Sequence, residues 1–237
     1  FYIELSTYYN PSSSRNYPIL HGKGGDSFLI GAAFYKNGGV MVNLFHYATS
    51  ELSQDAFICW LLAHGMKEHQ TEDPLLCACA LDFIHRVPGL EHATEIKEIG
   101  AVPEIDALGT VGNIHVIIED KTYTNVHSNQ IDVYTNALIQ SGVPKEDIRT
   151  VFYKIVEQFH EEDVDCAFTR ADILEMLRKY KDCNSDIFQS YLAHLEEIKS
   201  NTAAFKTRPI EEWKYEGTRG FFANLHKEHA DYKINRC

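Results

Sequence analysis

Asp106, Glu119 and Lys121 are residues of the types, and at the spacing, that metal-assisted hydrolysis of a phosphodiester requires. They lie in EIDALGTVGNIHVIIEDKTYTNVHSNQ, the stretch from Glu104 to Gln130, which reads as two strands joined at Gly112-Asn113. Gly-Asn is a two-residue pair that forms tight hairpin turns. With that loop Val111 pairs with Ile114, and counting outward sets Asp106 opposite Glu119 and Glu104 opposite Lys121. Directly opposed residues of antiparallel strands project from one face, with Cβ atoms about 4.5–5.5 Å apart. Two carboxylates held that close repel each other unless a cation lies between them. Lys121, two residues beyond Glu119, shares its face by strand alternation. The expectation is a divalent-metal site with an ammonium beside it.

Hard divalent ions such as Mg²⁺, with Mn²⁺ a plausible substitute, take oxygen ligands: one or two carboxylates, waters and substrate phosphate oxygens. Asp106 and Glu119 supply the carboxylates, and the backbone carbonyl of Asp120 can add a ligand. Lys121 can hold or deprotonate the attacking water, or offset charge building on the phosphate. The side chain of Asp120 turns to the opposite face, with Ile114, Val116 and Ile118.

These residues need a frame. Ser50 is a candidate N-cap for a helix to about Met66, apolar nearly all round, with Glu51 and Asp55 sharing one face near its start. One of these two acids reaches the metal face if the helix packs beside the hairpin; otherwise both simply favour the positive helix end. A second helix is expected over Pro74–His85, then a polar linker or short strand over 88–103. Beyond the hairpin come a helix from about Asn129 to Ser141 closed by Gly142, a strand over Ile148–Val156, and an acidic turn, HEEDVD. Phe168–Asp172 then caps a helix of about ten residues through Tyr180, with Thr169 or Asp172 near the cap, and a longer helix runs over Asp186–Lys199, before an aromatic stretch that packs back on the core. Ahead of all this, 1–27 reads as irregular, and Ser27–Tyr35 with Val40–Tyr47 reads as a hairpin about Asn37-Gly38. HGKGGD, His21–Asp26, lacks Walker spacing and reads as a plain loop. The fold class is α/β: a mixed central sheet flanked by helices.

The pattern Asp106…Glu119-Asp120-Lys121, with Glu51 on a preceding helix and Gln130…Tyr134 on the following one, resembles the PD-(D/E)XK nuclease superfamily. The resemblance covers about half the chain and departs from the motif at Ile105, which stands where Pro is usual. It implies a restriction-endonuclease-like core of αβββαβ order and metal-dependent DNA cleavage in a prokaryotic defence or restriction-like role. Asp106 and Glu119 would be ligands, Lys121 the catalytic lysine, Glu51 the additional helix acid and Gln130 the polar residue after the catalytic strands. The domain reading is an N-terminal hairpin extension over 1–49, a nuclease-like core over 50–160, and a helical C-terminal extension over 161–237. The alternatives are a ribonuclease, or a catalytically silent module of this fold that binds a protein or nucleic-acid partner through its aromatic ends, Phe1–Tyr17 and Trp213–Phe222.

Composition bounds these readings. A net charge of −12 over 237 residues repels nucleic acid on average, so a DNA substrate requires a local basic patch, bridging metal ions, a second copy of the chain or a targeting partner subunit. The longest apolar run, Ala56–Ala63, is far short of a membrane span of about 20 residues. Six scattered cysteines without zinc-ligand spacing read as reduced and structural in a cytoplasmic protein. His64 with His69, and His115 with His127, lack the spacing of a closed zinc site.

Overall fold

A computed structural model of the chain describes residues 4–10, 15–21, 27–29, 43–47, 51–102, 105–121, 130–156 and 163–228. The chain forms two compact units, divided between Val42 and Asn43. In the first, strands β1 (Glu4–Asn10), β2 (Arg15–His21) and β3 (Ser27–Leu29) make an antiparallel sheet in that order. This corrects one expectation. The supposedly irregular start is a hairpin, with Glu4 opposite His21 and Asn10 opposite Arg15. The strand starting at Ser27 pairs with β2, and the rest of the expected hairpin about Asn37-Gly38 lies outside the described residues. The physical reason is in STYY and YPIL: tyrosine and branched residues favour strands, and the Pro and Ser content that suggested coil is concentrated between them.

The second unit starts at a 3₁₀ turn, Leu44–His46, where a strand was expected. Asn43 caps it, accepting from the Phe45 N–H at 2.8 Å, and local side-chain capping of this kind competes with strand pairing. Helices α1 (Glu51–Ala63) and α2 (Pro74–His85) follow. α2 starts with Pro at its first position and Asp73 capping the N–H groups of Leu75 and Leu76. Strands β4 (Glu98–Val102), β5 (Ile105–Val111) and β6 (Ile114–Lys121) then form an antiparallel meander. The expected register holds: Val111 pairs with Ile114 and Ala107 with Ile118, about a turn in which Gly112 has φ +62°. Helix α3 (Gln130–Gln140) crosses to β7 (Ile148–Lys154), which runs parallel to β6. A strand that escaped the sequence reading, β8 (Cys166–Thr169), adds a second parallel pair. Helices α4 (Arg170–Lys179), α5 (Asp186–Thr202) and α6 (Tyr215–Glu228) complete the unit.

The resulting sheet is mixed and open, ordered β4-β5-β6-β7-β8, with helices on both faces. Strand alternation explains the layering. Val116, Ile118, Val151 and Tyr153 point into the main core beside α1, α2, α4 and α5. Ile117 and Ile148 point the other way, against Tyr134 of α3. Aromatic packing fastens α5 to α1: the Phe57 and Tyr191 rings stack with centroids 3.7 Å apart. Among the described residues no helix is long and apolar enough to cross a membrane.

Candidate functional site

The hairpin register delivers Asp106 and Glu119 to the end of β5 and β6 remote from the turn, and the side chains meet there. Asp106 Oδ2 accepts from the main-chain N–H of Asp120 at 3.0 Å and from Lys121 Nζ at 3.2 Å. Lys121 Nζ also stands 2.6 Å from Glu119 Oε1, an ion-pair contact without the geometry of a directed hydrogen bond. So the ammonium closes the gap between the two carboxylates that the register opposed.

The third and fourth acids arrive from the other face of the sheet. Asp120 alternates into the main core and stays there, fully buried. Its partner is α1. Gln54 Nε2 donates to Asp120 Oδ2 in a short bond, and the Asp55 carboxyl lies beside that of Asp120. One carboxylate oxygen from each of Asp55, Asp106 and Asp120 lies within 4.8 Å of the other two. Asp106 has a side chain 21% exposed, whereas Glu119 is fully enclosed, so Asp106 is the more open side of the cluster.

Electrostatics follow from this crowding. Burial pushes the Asp120 carboxyl far above its ordinary range, and the neighbouring Asp55 and Asp106 push the same way. Burial likewise raises Glu119, to about 7, with Lys121 opposing and Asp106 reinforcing. Burial pulls Lys121 down, but Glu119 and Asp106 outweigh it, and the lysine is held protonated. Cys59, on α1 nearby, is pushed up to about 11 by burial and by Asp55, Asp120 and Asp106, which makes it an unreactive thiol.

The donor set fits a hard divalent cation. Three carboxylates converge, and Asp120 Oδ1 and both Glu119 oxygens accept no directed hydrogen bond among the described residues although fully buried. The buried acidic triad can therefore bind a metal ion.

Set against the sequence expectation, Asp106 and Lys121 stand at the centre, and Glu119 stands beside the triad, on Lys121. Asp120 enters through its side chain, where only its backbone carbonyl was anticipated. Of the two α1 acids, Asp55 reaches the site. The side chains of Glu51 and Gln130, and all of Glu104, lie outside the described residues. Tyr134 is buried in the α3 cluster. Gln54 escaped notice because its contact with Asp120 spans 66 positions and has no local signature. Asp120 did carry a signal: an acid on an otherwise apolar strand face needs a polar partner across the core. No histidine joins the cluster among the described residues, and their five cysteines are free thiols.

Compared with known proteins, the chain matches no protein-family model and none of the curated proteins.

Proposed function

We propose that this protein is a metal-dependent nuclease that hydrolyses phosphodiester bonds of DNA on a restriction-endonuclease-like core of the PD-(D/E)XK type. The observation that carries the reading is the double engagement of Asp106, in reach of two further carboxylates and 3.2 Å from a buried, protonated lysine. Asp55, Asp106 and Asp120 would hold Mg²⁺, or Mn²⁺ in its place, with Glu119 and the backbone carbonyl of Asp120 at hand as further oxygen donors. Such an ion, when bound, supplies Lewis acidity and lowers the pKa of water.

The remaining work falls to the chain itself. Lys121, protonated at neutral pH, is suited to donate to a phosphate oxygen and offset charge developing there, rather than to act as the base. Glu119, titrating near neutrality, is suited to take up a proton as water attacks. Asp106 is locked by two donors, which keeps its carboxylate from swinging as the substrate enters.

The test is cleavage of a labelled duplex with Mg²⁺ or Mn²⁺, side by side with an RNA of the same sequence. Asp106→Ala, Glu119→Ala and Lys121→Ala are each expected to lower the rate by about 10²–10⁴-fold with the fold retained. Robust cleavage by the Glu119→Ala/Lys121→Ala double variant would sink the reading. Absence of Mn²⁺ binding in calorimetry, together with stable association with a partner, would instead favour a silent module.

A further inference from the structure

Gln54 of α1 is 4% exposed, and Phe57, Ile58 and Leu61 further along the same helix are core residues. A glutamine buried in such company is unfavourable unless both ends of its amide are engaged. One end is: Nε2 donates to Asp120 Oδ2. The other is not. Among the described residues Gln54 Oε1 has no hydrogen-bond partner, and Asp120 Oδ1, equally buried, accepts no directed hydrogen bond.

The two oxygens are close together and of one kind. Oε1 shares a carbon with Nε2, and Oδ1 shares a carbon with Oδ2, so a single hydrogen bond separates the two groups. A carbonyl oxygen and an ionised carboxylate oxygen both accept and neither donates, so they cannot satisfy each other. Facing a carboxylate, only the NH₂ end of an amide can donate, which commits Oε1 to some other donor. Buried acceptors in native proteins are met by protein donors, ordered water or ions. A bare cation would serve Asp120 Oδ1 alone, and a lone water would leave the carboxylate charge unmatched. A hydrated divalent ion brings both a charge and O–H donors, because Mg²⁺ binds through few carboxylates and keeps several of its waters. Carboxylate oxygens of Asp55 and Asp106 lie within 4.8 Å of one on Asp120, where such an ion would be held.

We propose that Gln54 is a positioning residue of the metal site: Nε2 holds Asp120 by Oδ2 so that Oδ1 is left for the ion, and Oε1 accepts a hydrogen bond from a water on that ion. The assignment rests on the metal-dependent reading above. Gln54 touches no substrate; it fixes one ligand and orients one water, as the hydrogen-bond partners of metal ligands do. A helix suits the task, since α1 is itself fastened by the Phe57–Tyr191 stack three residues on. The competing role is packing alone: the side chain would fill space beside Asp120 and leave the ion unaffected.

Gln54→Met removes both amide functions and keeps a side chain of similar length and volume. Calorimetric titration of Mn²⁺ into the full-length variant is expected to show affinity weakened by about 10–100-fold. At saturating Mn²⁺, nuclear relaxation of solvent oxygen is expected to show faster exchange of water on the bound ion than in wild type. Either quantity at its wild-type value, whatever the melting temperature, overturns the proposal. Should Gln54→Met fail to fold, Gln54→Leu takes its place. The wild-type protein, isotope-labelled at glutamine, gives a reading that needs no variant: the Gln54 side-chain amide resonance is expected to shift on titration with Mg²⁺, and one that stays unmoved as the ion binds overturns the proposal. A wild-type protein that binds Mn²⁺ but cleaves no DNA defeats the nuclease reading, while affinity and water exchange still decide Gln54. One that binds neither Mn²⁺ nor Mg²⁺ defeats both.

Discussion

Burial, reinforced by the crowding of Asp55 and Asp106 against it, favours the protonated form of Asp120, and a bound cation would displace that proton. Calorimetric titration of Mn²⁺ in buffers of different ionisation enthalpy is therefore expected to show net proton release near neutral pH. Asp55→Asn should reduce that release and weaken binding, by about 10–100-fold or more for loss of a direct ligand. Glu119 yields a prediction of definite sign. Its folded pKa, about 7, lies above its unfolded value, so between about 4.3 and 7 the folded chain binds more protons than the unfolded one. The group's contribution to stability therefore falls as pH rises through that window and is most unfavourable above it. In metal-free denaturant unfolding, Glu119→Gln should gain stability relative to wild type on going from pH 5 to pH 8. A wild-type-minus-variant difference that stays flat over that range would show that burial does not raise this carboxyl.

At the scale of elements, the hairpin β5–β6 was legible because its turn residues and its alternation agree. Gly112 occupies the positive-φ position that Gly-Asn loops require, and the register followed by counting. β8 was not legible: CAFT is four residues long, alternates weakly, and runs straight into a Thr169–Asp172 capping box that dominates the local signal. Its strand state comes from pairing with β7, a contact the sequence does not carry locally. The C-terminal helices are held by close backbone approach. A Cβ added at Gly220 of α6 would sit 2.2 Å from Thr202 O of α5, whereas at Gly217 the nearest atom is at 3.1 Å. Gly220→Ala is expected to lose about 1–3 kcal/mol from overpacking, despite the helix propensity it gains. At Gly217 the two effects should nearly cancel. Melting temperatures of the two variants check this, with about 2–4 °C per kcal/mol for a unit of this size. Between α5 and β7, Tyr153 and Tyr191 join hydroxyls at 2.8 Å inside the core. Tyr191→Phe strands the Tyr153 hydroxyl and should cost about 1–3 kcal/mol.

For the molecule as a whole, every described residue of the site belongs to the unit beginning at Asn43. A fragment spanning 43–237 is thus expected to fold cooperatively and to show the same Mn²⁺-dependent rise in melting temperature as the full chain. Saturating metal at about 100 times Kd adds roughly 2.7 kcal/mol, and EDTA should abolish the gain in both. A fragment that folds but has lost the metal response would place part of the site in the first unit. The charge of −12 acts at this scale too: it opposes approach of any polyanion, so under the proposed nuclease function affinity for DNA should depend on the divalent ion as well as on salt. What the sequence alone determined is local and periodic. The two-residue turn set the register, the register opposed Asp106 to Glu119, and alternation set Lys121 on their face and Asp120 on the other. What only the tertiary structure decided is which groups meet through the core. Asp120 could be assigned a face but not a partner until α1 packed Gln54 and Asp55 against it. Likewise Lys154 became a neighbour of Lys121 only when α3 returned the chain parallel to β6. Hydrogen-bond register within a hairpin is fixed by a turn a few residues away, whereas helix-to-sheet and crossover contacts depend on packing that spans the whole unit.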